Sequence, residues 1–448
     1  MARHIDDNDP ILVPSGFSRR ELLRRAGAAG IAMPTLAAIL AACGSGAETN
    51  VSGGSPSASG GGSNQFGTGG IGGAPYPLAR PDAPVTWKIQ EDNKPIASGL
   101  QPESGATVQV LRWPYYLDNG VLKAFEKKYD CQVQTTQFTD MDKGLQQIAS
   151  GQAPFDMLFG MNVWAVGRSI AAGQLRPYNL DYVPNLKANV WDQFQSPFYD
   201  VGSQFTLPYS VWSTGIFWRN DKLSIDPSTM TNPYDVFWDN PPKGKTALLA
   251  NAQDVLAMPM FRDGLKDVNV TDAATITKAK DDITQIATAA GGLRYDHVDY
   301  NDVPSGKTWL HQSWSGNVSD AVVFLPNLSQ AANLSYYWPG SGGHPANVDN
   351  DTIVLLKTGK APVLAHLLAN WLLDNDNSLA NFKDTTGYQM PIKAMSPDAM
   401  VSSGIVPEHL SSVIVAETDF TKGSRELELP PEADALWQQA FSELQAGV

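Results

Sequence analysis

Cys43 is the side chain with the most distinctive chemistry in this 448-residue chain. It closes the run Leu40-Ala41-Ala42-Cys43, a small-residue pattern at which exported lipoproteins are cut and lipidated on the cysteine. Upstream stands Ser18-Arg19-Arg20-Glu21-Leu22-Leu23-Arg24, a twin-arginine export motif. Between the two runs an apolar stretch, Ala26 to Ala42, broken only by glycines, Pro34 and Thr35. These breaks leave it short of the roughly 18 to 20 unbroken apolar residues of a membrane-spanning helix. The expectation is a signal over 1–43 and a mature chain held by lipid on Cys43, on the extracytoplasmic face of the cell membrane. The only other cysteine, Cys131, then has no partner for an intrachain disulfide and reads as a small core residue of a strand.

Motifs for catalysis are near misses. Gly244-Lys245-Thr246 and Gly306-Lys307-Thr308 look like the end of a phosphate-binding loop, but its first glycine is replaced by Asp239 and Asn301. No Gly-x-Ser-x-Gly or His-Glu-x-x-His occurs, and the six histidines show no metal-ligand spacing. His366 sits in an apolar helical run and reads as a satisfied core histidine. Asp374-Asn375-Asp376-Asn377 has Leu379 where a calcium loop needs glycine, so a turn at a helix end is expected. Neither a cofactor nor a metal nor an enzyme activity is expected. The net charge of −14 argues against nucleic acid and against docking on anionic lipid.

What the chain does have is aromatics beside turn residues: Trp113-Pro114-Tyr115-Tyr116, Tyr209-Ser210-Val211-Trp212, Trp314-Ser315-Gly316-Asn317 and Tyr336-Tyr337-Trp338-Pro339. Such groups either pack a core edge or line a cleft, where ring faces offer contact area and attract cations. The elements that would position them alternate. Thr107–Leu111, Cys131–Thr135 and Phe155–Phe159 read as strands, separated by helical spacing over 117–129 and around Leu145–Gly151. Thr246–Leu249 and Ala321–Leu325 are further strand candidates, and 361–373 is a strongly apolar helix. Alternation of this kind predicts an α/β fold with parallel pairing. Residues 44–105, rich in Gly, Ser and Pro, are expected to be a flexible tether.

Taken in order from about Thr107 to Pro391, these segments resemble the extracellular solute-binding proteins of ABC importers, with most similarity to the spermidine/putrescine-binding family. The pieces are Val110–Tyr116, Phe125–Tyr129, Pro154–Leu158, Leu207–Ile216, Trp314–Asn317, Trp338–Gly343 and Gly387–Pro391. The resemblance implies a two-lobe periplasmic-binding-protein fold of type II, with a hinge between the lobes and the ligand enclosed between them. The expected lobes are 106–208 plus 315–350 and 213–312 plus 355–448. By position, the ligand-binding set implied is Trp113, Tyr115, Tyr116, Asn162, Asn251, Asp254, Trp314, Asn317 and Asp351. An acid is common in that family where this chain has Asn251 and Asn317, which favours a ligand with fewer positive charges or a neutral polar one. The function implied is capture of a small polar, polyamine-like solute, as a monomer, for delivery to an ABC permease. Two other readings share the scaffold: an exported hydrolase using Asp254 and Asp351, and a ligand-sensing surface lipoprotein without uptake.

Overall fold

The computed structural model describes residues 64–447 apart from 152, 326 and 327. Cys43, the twin-arginine motif and residues 44–63 lie outside the described residues. Twelve strands are present among the described residues: β1 (Gly67–Gly69), β2 (Val85–Trp87), β3 (Thr107–Arg112), β4 (Gln132–Gln137), β5 (Met157–Asn162), β6 (Leu175–Arg176), β7 (Thr206–Arg219), β8 (Thr246–Leu249), β9 (Arg294–Asp296), β10 (Leu310–Trp314), β11 (Leu334–Tyr337) and β12 (Val348–Leu356). Strands β1 and β2 pair with each other. The rest form one sheet in the order β4-β3-β5-β12-β7-β10-β8-β9, with β6 on β12 and β11 on β7.

Two parallel blocks, β4-β3-β5 and β10-β8-β9, flank the antiparallel pair β12 and β7. Strand β7 is long enough to serve both halves. Its residues Thr206–Ser213 pair with β12, and Thr214–Trp218 pair with β10. It is buried almost throughout. The crossover is pinned where Thr214 N–H donates to the Asn347 carbonyl at 3.1 Å. The period of two in side-chain direction sorts the core onto two faces. Met157, Phe159, Leu207, Tyr209, Phe217, Ile353 and Leu355 share one cluster that runs across both halves. Leu158, Met161, Val354 and Leu356 face the other way in the first half, and Ile216, Trp218, Leu248 and Leu310 do so in the second.

Three of the helices that begin at the carboxyl ends of strands carry a side-chain cap. Asp118 accepts from Gly120 and Val121 N–H, Asp140 from Lys143 at 3.1 Å, and Asn251 from Gln253 and Asp254 at 2.8 and 3.2 Å. His366 accepts from the Asn179 N–H at 3.0 Å within its helix Pro362–Leu372, as expected of a satisfied histidine, and Cys131 is buried one residue ahead of β4. The two Gly-Lys-Thr pieces meet each other: Lys245 Nζ donates to the Gly306 carbonyl at 3.0 Å, and Lys307 pairs with Asp302 at 2.7 Å.

Three expectations are corrected. Residues 64–105 are not a tether: Leu78, Val85 and Trp87 are buried, Trp87 Nε1 donates to the Tyr199 carbonyl at 2.8 Å, and Asn93 Nδ2 donates to Leu175 at 2.8 Å. Composition hid this, because a few apolar side chains among prolines and glycines suffice to dock a segment that makes most of its backbone bonds within itself. Residues 321–324 belong to the helix Ser315–Phe324, since a short apolar run does not distinguish a buried strand from a buried helix. The sheet also divides the chain elsewhere than the expected lobes. Within 315–350, β11 pairs with the second half of β7. Within 355–448, the helix Pro362–Leu372 packs on β12 and on the helix Asn119–Tyr129, with Trp371 Nε1 donating to Val121 at 3.1 Å, so it covers the first half. The helix Pro431–Ala446 packs on Ala252–Arg262 and Ala273–Ala290, in the second half.

Candidate functional site

In open α/β sheets, ligands settle outside the carboxyl ends of the parallel strands. Both blocks here present those ends with aromatic and carboxyl side chains. In the first half, Trp113 follows β3 and lies 4.6 Å from Phe138, which follows β4, while its Nε1 donates to the Gly160 carbonyl at 2.8 Å. Gly160 has φ +91°, and a Cβ there would stand 2.4 Å from Trp113 and 2.7 Å from Tyr116, so glycine lets both rings lie on the strand. Tyr116 O–H donates to Asp351 at 2.7 Å, Asn162 Nδ2 donates to its other oxygen at 2.8 Å, and Ser210 approaches at 3.4 Å. Asp351 is 2 % exposed. Burial outweighs these donors and pushes its carboxyl up to about 7.

In the second half, Asp254 sits in the first turn of Ala252–Arg262 and accepts from Thr214 O–H at 2.7 Å and from Trp314 Nε1 at 3.0 Å. Trp314 stacks on His297 at 5.0 Å between centroids and meets Trp212 at 6.5 Å. Burial holds His297 down at about 4, so its imidazole is neutral at pH 7. Asn317 Nδ2 donates to Asp299 at 2.7 Å and its oxygen accepts from Tyr388 O–H at 2.8 Å. The Tyr388 ring lies 5.4 Å from Tyr116 and 6.3 Å from Trp212, and it rests on Gly316, where a Cβ would come within 2.5 Å of it. Tyr388 therefore connects the Tyr116–Asp351 group to the Trp314 group.

The candidate residues thus gather into two groups: Trp113, Tyr116, Asn162 and Asp351 in one, Asp254, Trp314 and Asn317 in the other. Asn251 lies at the same strand end with its side-chain oxygen committed to the helix cap. Tyr115, 36 % exposed at φ +58°, turns outward, with its ring 6.3 Å from Tyr300. His297, Asp299 and Tyr388 were missed from sequence. The first two follow β9, a three-residue strand too short to announce itself, and Tyr388 was visible only within Gly387–Pro391. Among the described residues no group of three or more His, Cys, Asp or Glu is placed to hold a metal, and no helix is long and apolar enough to cross a membrane.

Residues 112–378 match the family of bacterial extracellular solute-binding proteins. The chain belongs to that family. Membership places its action outside the cytoplasm. The fold is shared with the spermidine/putrescine ABC-transporter substrate-binding protein of Streptococcus pneumoniae, at a TM-score of 0.62 and 17 % identity over 77 % of this chain and 99 % of that one. It is shared equally with a putative spermidine/putrescine ABC transporter of Listeria monocytogenes, at 0.63 and 19 % over 76 % and 98 %. The apo ferric ion-binding protein A of Pasteurella haemolytica also matches, at 0.54 and 14 % over 76 % and 98 %. No curated protein matches by sequence.

Asp351 gives a pH test of this solute-binding protein. Its folded value, about 7, lies above the unfolded one, near 3.8, so its contribution to stability is fully present below the unfolded value and is lost as pH rises through 7. Asp351→Asn should therefore flatten the dependence of the thermal midpoint on pH between 4 and 7 and raise the midpoint at pH 8. Midpoint curves that run parallel for variant and wild type would mean that the Asp351 carboxyl is not the source.

Proposed function

We propose that the protein is the substrate-binding component of an ABC importer, anchored through Cys43, that closes its two lobes as a monomer on a small solute carrying at least one ammonium group and presents it to a membrane permease. The observation that carries the ligand class is the pairing, at the strand ends of each half, of a buried carboxyl with aromatic rings: Asp351 with Tyr116 and Trp113, Asp254 with Trp314. A carboxyl buried without a cation favours its protonated form, and an ammonium is the group that would restore its charge. The rings add their faces to a cation. Two of the proteins that share this fold carry spermidine/putrescine in their names and one carries ferric ion, so the fold leaves the ligand open and the side chains decide it.

Thermal unfolding of the full chain against putrescine, spermidine, amino acids, sugars and neutral diols tests the reading. Ligand at a hundred times its dissociation constant adds roughly 2.7 kcal/mol, and the midpoint should rise by about 2–4 °C or more. Amines should shift the midpoint and diols of equal length should not. A shift with sugars or anionic solutes alone would overturn the ammonium class and leave solute binding standing.

A further inference from the structure

The segment after residue 423 brings a carboxyl to the site from far along the chain. Ser424 pairs beside the crossover, its carbonyl accepting from Val348 N–H at 2.9 Å, and Glu426 N–H donates to Asp349 at 2.8 Å. The Glu426 side chain, 7 % exposed, then enters the second half. One oxygen accepts from Asn347 Nδ2 at 2.9 Å, and the carboxyl is in hydrogen-bond contact with that of Asp254. The two acids divide their roles. Burial raises Asp254 to about 6, but it also accepts from Thr214 and Trp314, so of the two it is the readier to ionise. Burial and the carboxylates of Asp254 and Asp349 push Glu426 well up, so it holds the proton.

Behind Asp254 lies a small cavity lined by Thr214, Asp254, Gln312 and Asn347 against apolar side chains. The amide groups on its wall are already oriented. Asn347 Nδ2 is used on Glu426, and Gln312 Nε2 donates to the Asp254 carbonyl at 2.7 Å. Their oxygens, on side chains 2 % and 3 % exposed, have no hydrogen-bond partner among the described residues. Thr214 O–H is spent on Asp254. What remains is a ring of acceptors without a donor, and the group that has three donors and no acceptor is a primary ammonium. Buried orphan acceptors are rare enough in folded proteins to call for such an occupant.

We propose that Glu426 is a specificity-determining residue of the solute site: beside Asp254, and next to the cavity that Asp254, Asn347 and Gln312 line, it supplies a second carboxyl for one primary ammonium of the ligand. The inference rests on the ammonium-ligand reading above. It also assigns the second acid of this half, absent at Asn251 and Asn317, to the C-terminal segment. Binding exchanges the proton on Glu426 for the cation, so ammonium capture releases a proton and tightens as pH rises while the amine stays charged. The charged groups facing Glu426 are Asp254 on the helix Ala252–Arg262 and Asp349 on β12, the latter paired with Arg425 at 2.7 Å.

Calorimetric titration of putrescine into the full chain, in two buffers of different ionisation enthalpy at pH 7, tests this on the wild type and on Glu426→Gln. The amide keeps a donor for Asp254 and cannot ionise. Expected are a ligand-free thermal midpoint no lower than that of the wild type, because the amide takes up no proton on folding, affinity weaker by about tenfold to a hundredfold, and about one proton per ligand fewer released than by the wild type. Putrescine binding with equal affinity and equal proton release in both proteins would overturn the role of Glu426 and leave the ammonium reading intact. Binding of other solutes with no amine bound would overturn both.

Discussion

Trp314→Ala should weaken ligand binding by about thirtyfold or more, the scale of an interface hot spot, while the protein stays folded. The indole does three things at once. Its Nε1 is one of the donors that keep Asp254 charged, at 3.0 Å; its face is backed by the neutral imidazole of His297 at 5.0 Å; and its edge meets Trp212 at 6.5 Å across the crossover strand. Truncation removes a ring face from the ligand and also leaves Asp254 less able to hold its charge, so a cationic ligand loses twice. Trp314→Phe separates the two losses, because it keeps a ring and removes the N–H. Its affinity should fall between those of the wild type and the alanine variant. The fold is spared because Trp314 is the last residue of β10 and only partly buried, so the register of β10 on β7 is set by the four residues before it. Affinity unchanged in Trp314→Ala, measured by titration with a solute that shifts the wild-type midpoint, would remove this residue from the cleft.

The parts of the molecule that local sequence specifies were legible, and the parts that long-range docking specifies were not. Strand β3, the helix Asn119–Tyr129 and strand β4 follow from periodicity, all within thirty or so residues. The aromatic groups after strand ends followed from the same logic, because a strand end is where an α/β sheet exposes side chains to a ligand. Nothing local marks Glu426. It sits in Arg425-Glu426-Leu427-Glu428, which reads as a solvated charged run, and only its pairing beside residues 346–348 turns it inward. The segment 64–105 failed for the complementary reason. Its composition is that of a linker, and its order comes from Trp87 and Val85 filling sites built by Tyr199, Phe198 and β5-side residues distant in sequence. The lobe boundaries moved because β7 and β12 carry the chain between halves twice, and a strand pattern does not say which neighbour it will pair with.

Arg168→Met should destabilise the fold by about 3–5 kcal/mol, the cost of leaving one member of a buried ion pair alone. Arg168, on the helix Val163–Ala171 of the first half, meets Glu428 at 2.9 Å and Asp434 at 3.6 Å, and Asp434 stands in the first turn of Pro431–Ala446, which packs on the second half. Glu428 also accepts from Tyr76 O–H at 2.7 Å, and its carbonyl accepts from Arg80 Nη2 at 2.9 Å, so the N-terminal segment closes on the same point. Gly167 makes the approach possible, since a Cβ there would stand 2.6 Å from the Glu428 carboxyl. The guanidinium keeps its charge, strengthened by the acids around it, whereas burial pushes Glu428 up even with Arg168 present. Without Arg168, Glu428 takes up a proton more readily still. A raised folded value means stability present at low pH and lost as pH rises through it, so the loss in Arg168→Met should be smaller at pH 5 than at pH 8. Adding Glu428→Gln to Arg168→Met should recover a large part of it at pH 8, because the uncompensated charge is then gone. Denaturant unfolding of the wild type, the two single variants and the double variant at both pH values measures the coupling. Coupling near zero at pH 8 would reduce the contact to surface decoration. A large coupling would make residues 425–430, which carry both Glu426 and Glu428, a third connection between the halves beside β7 and β12, one whose strength the ligand at Asp254 feels through its neighbour two residues away.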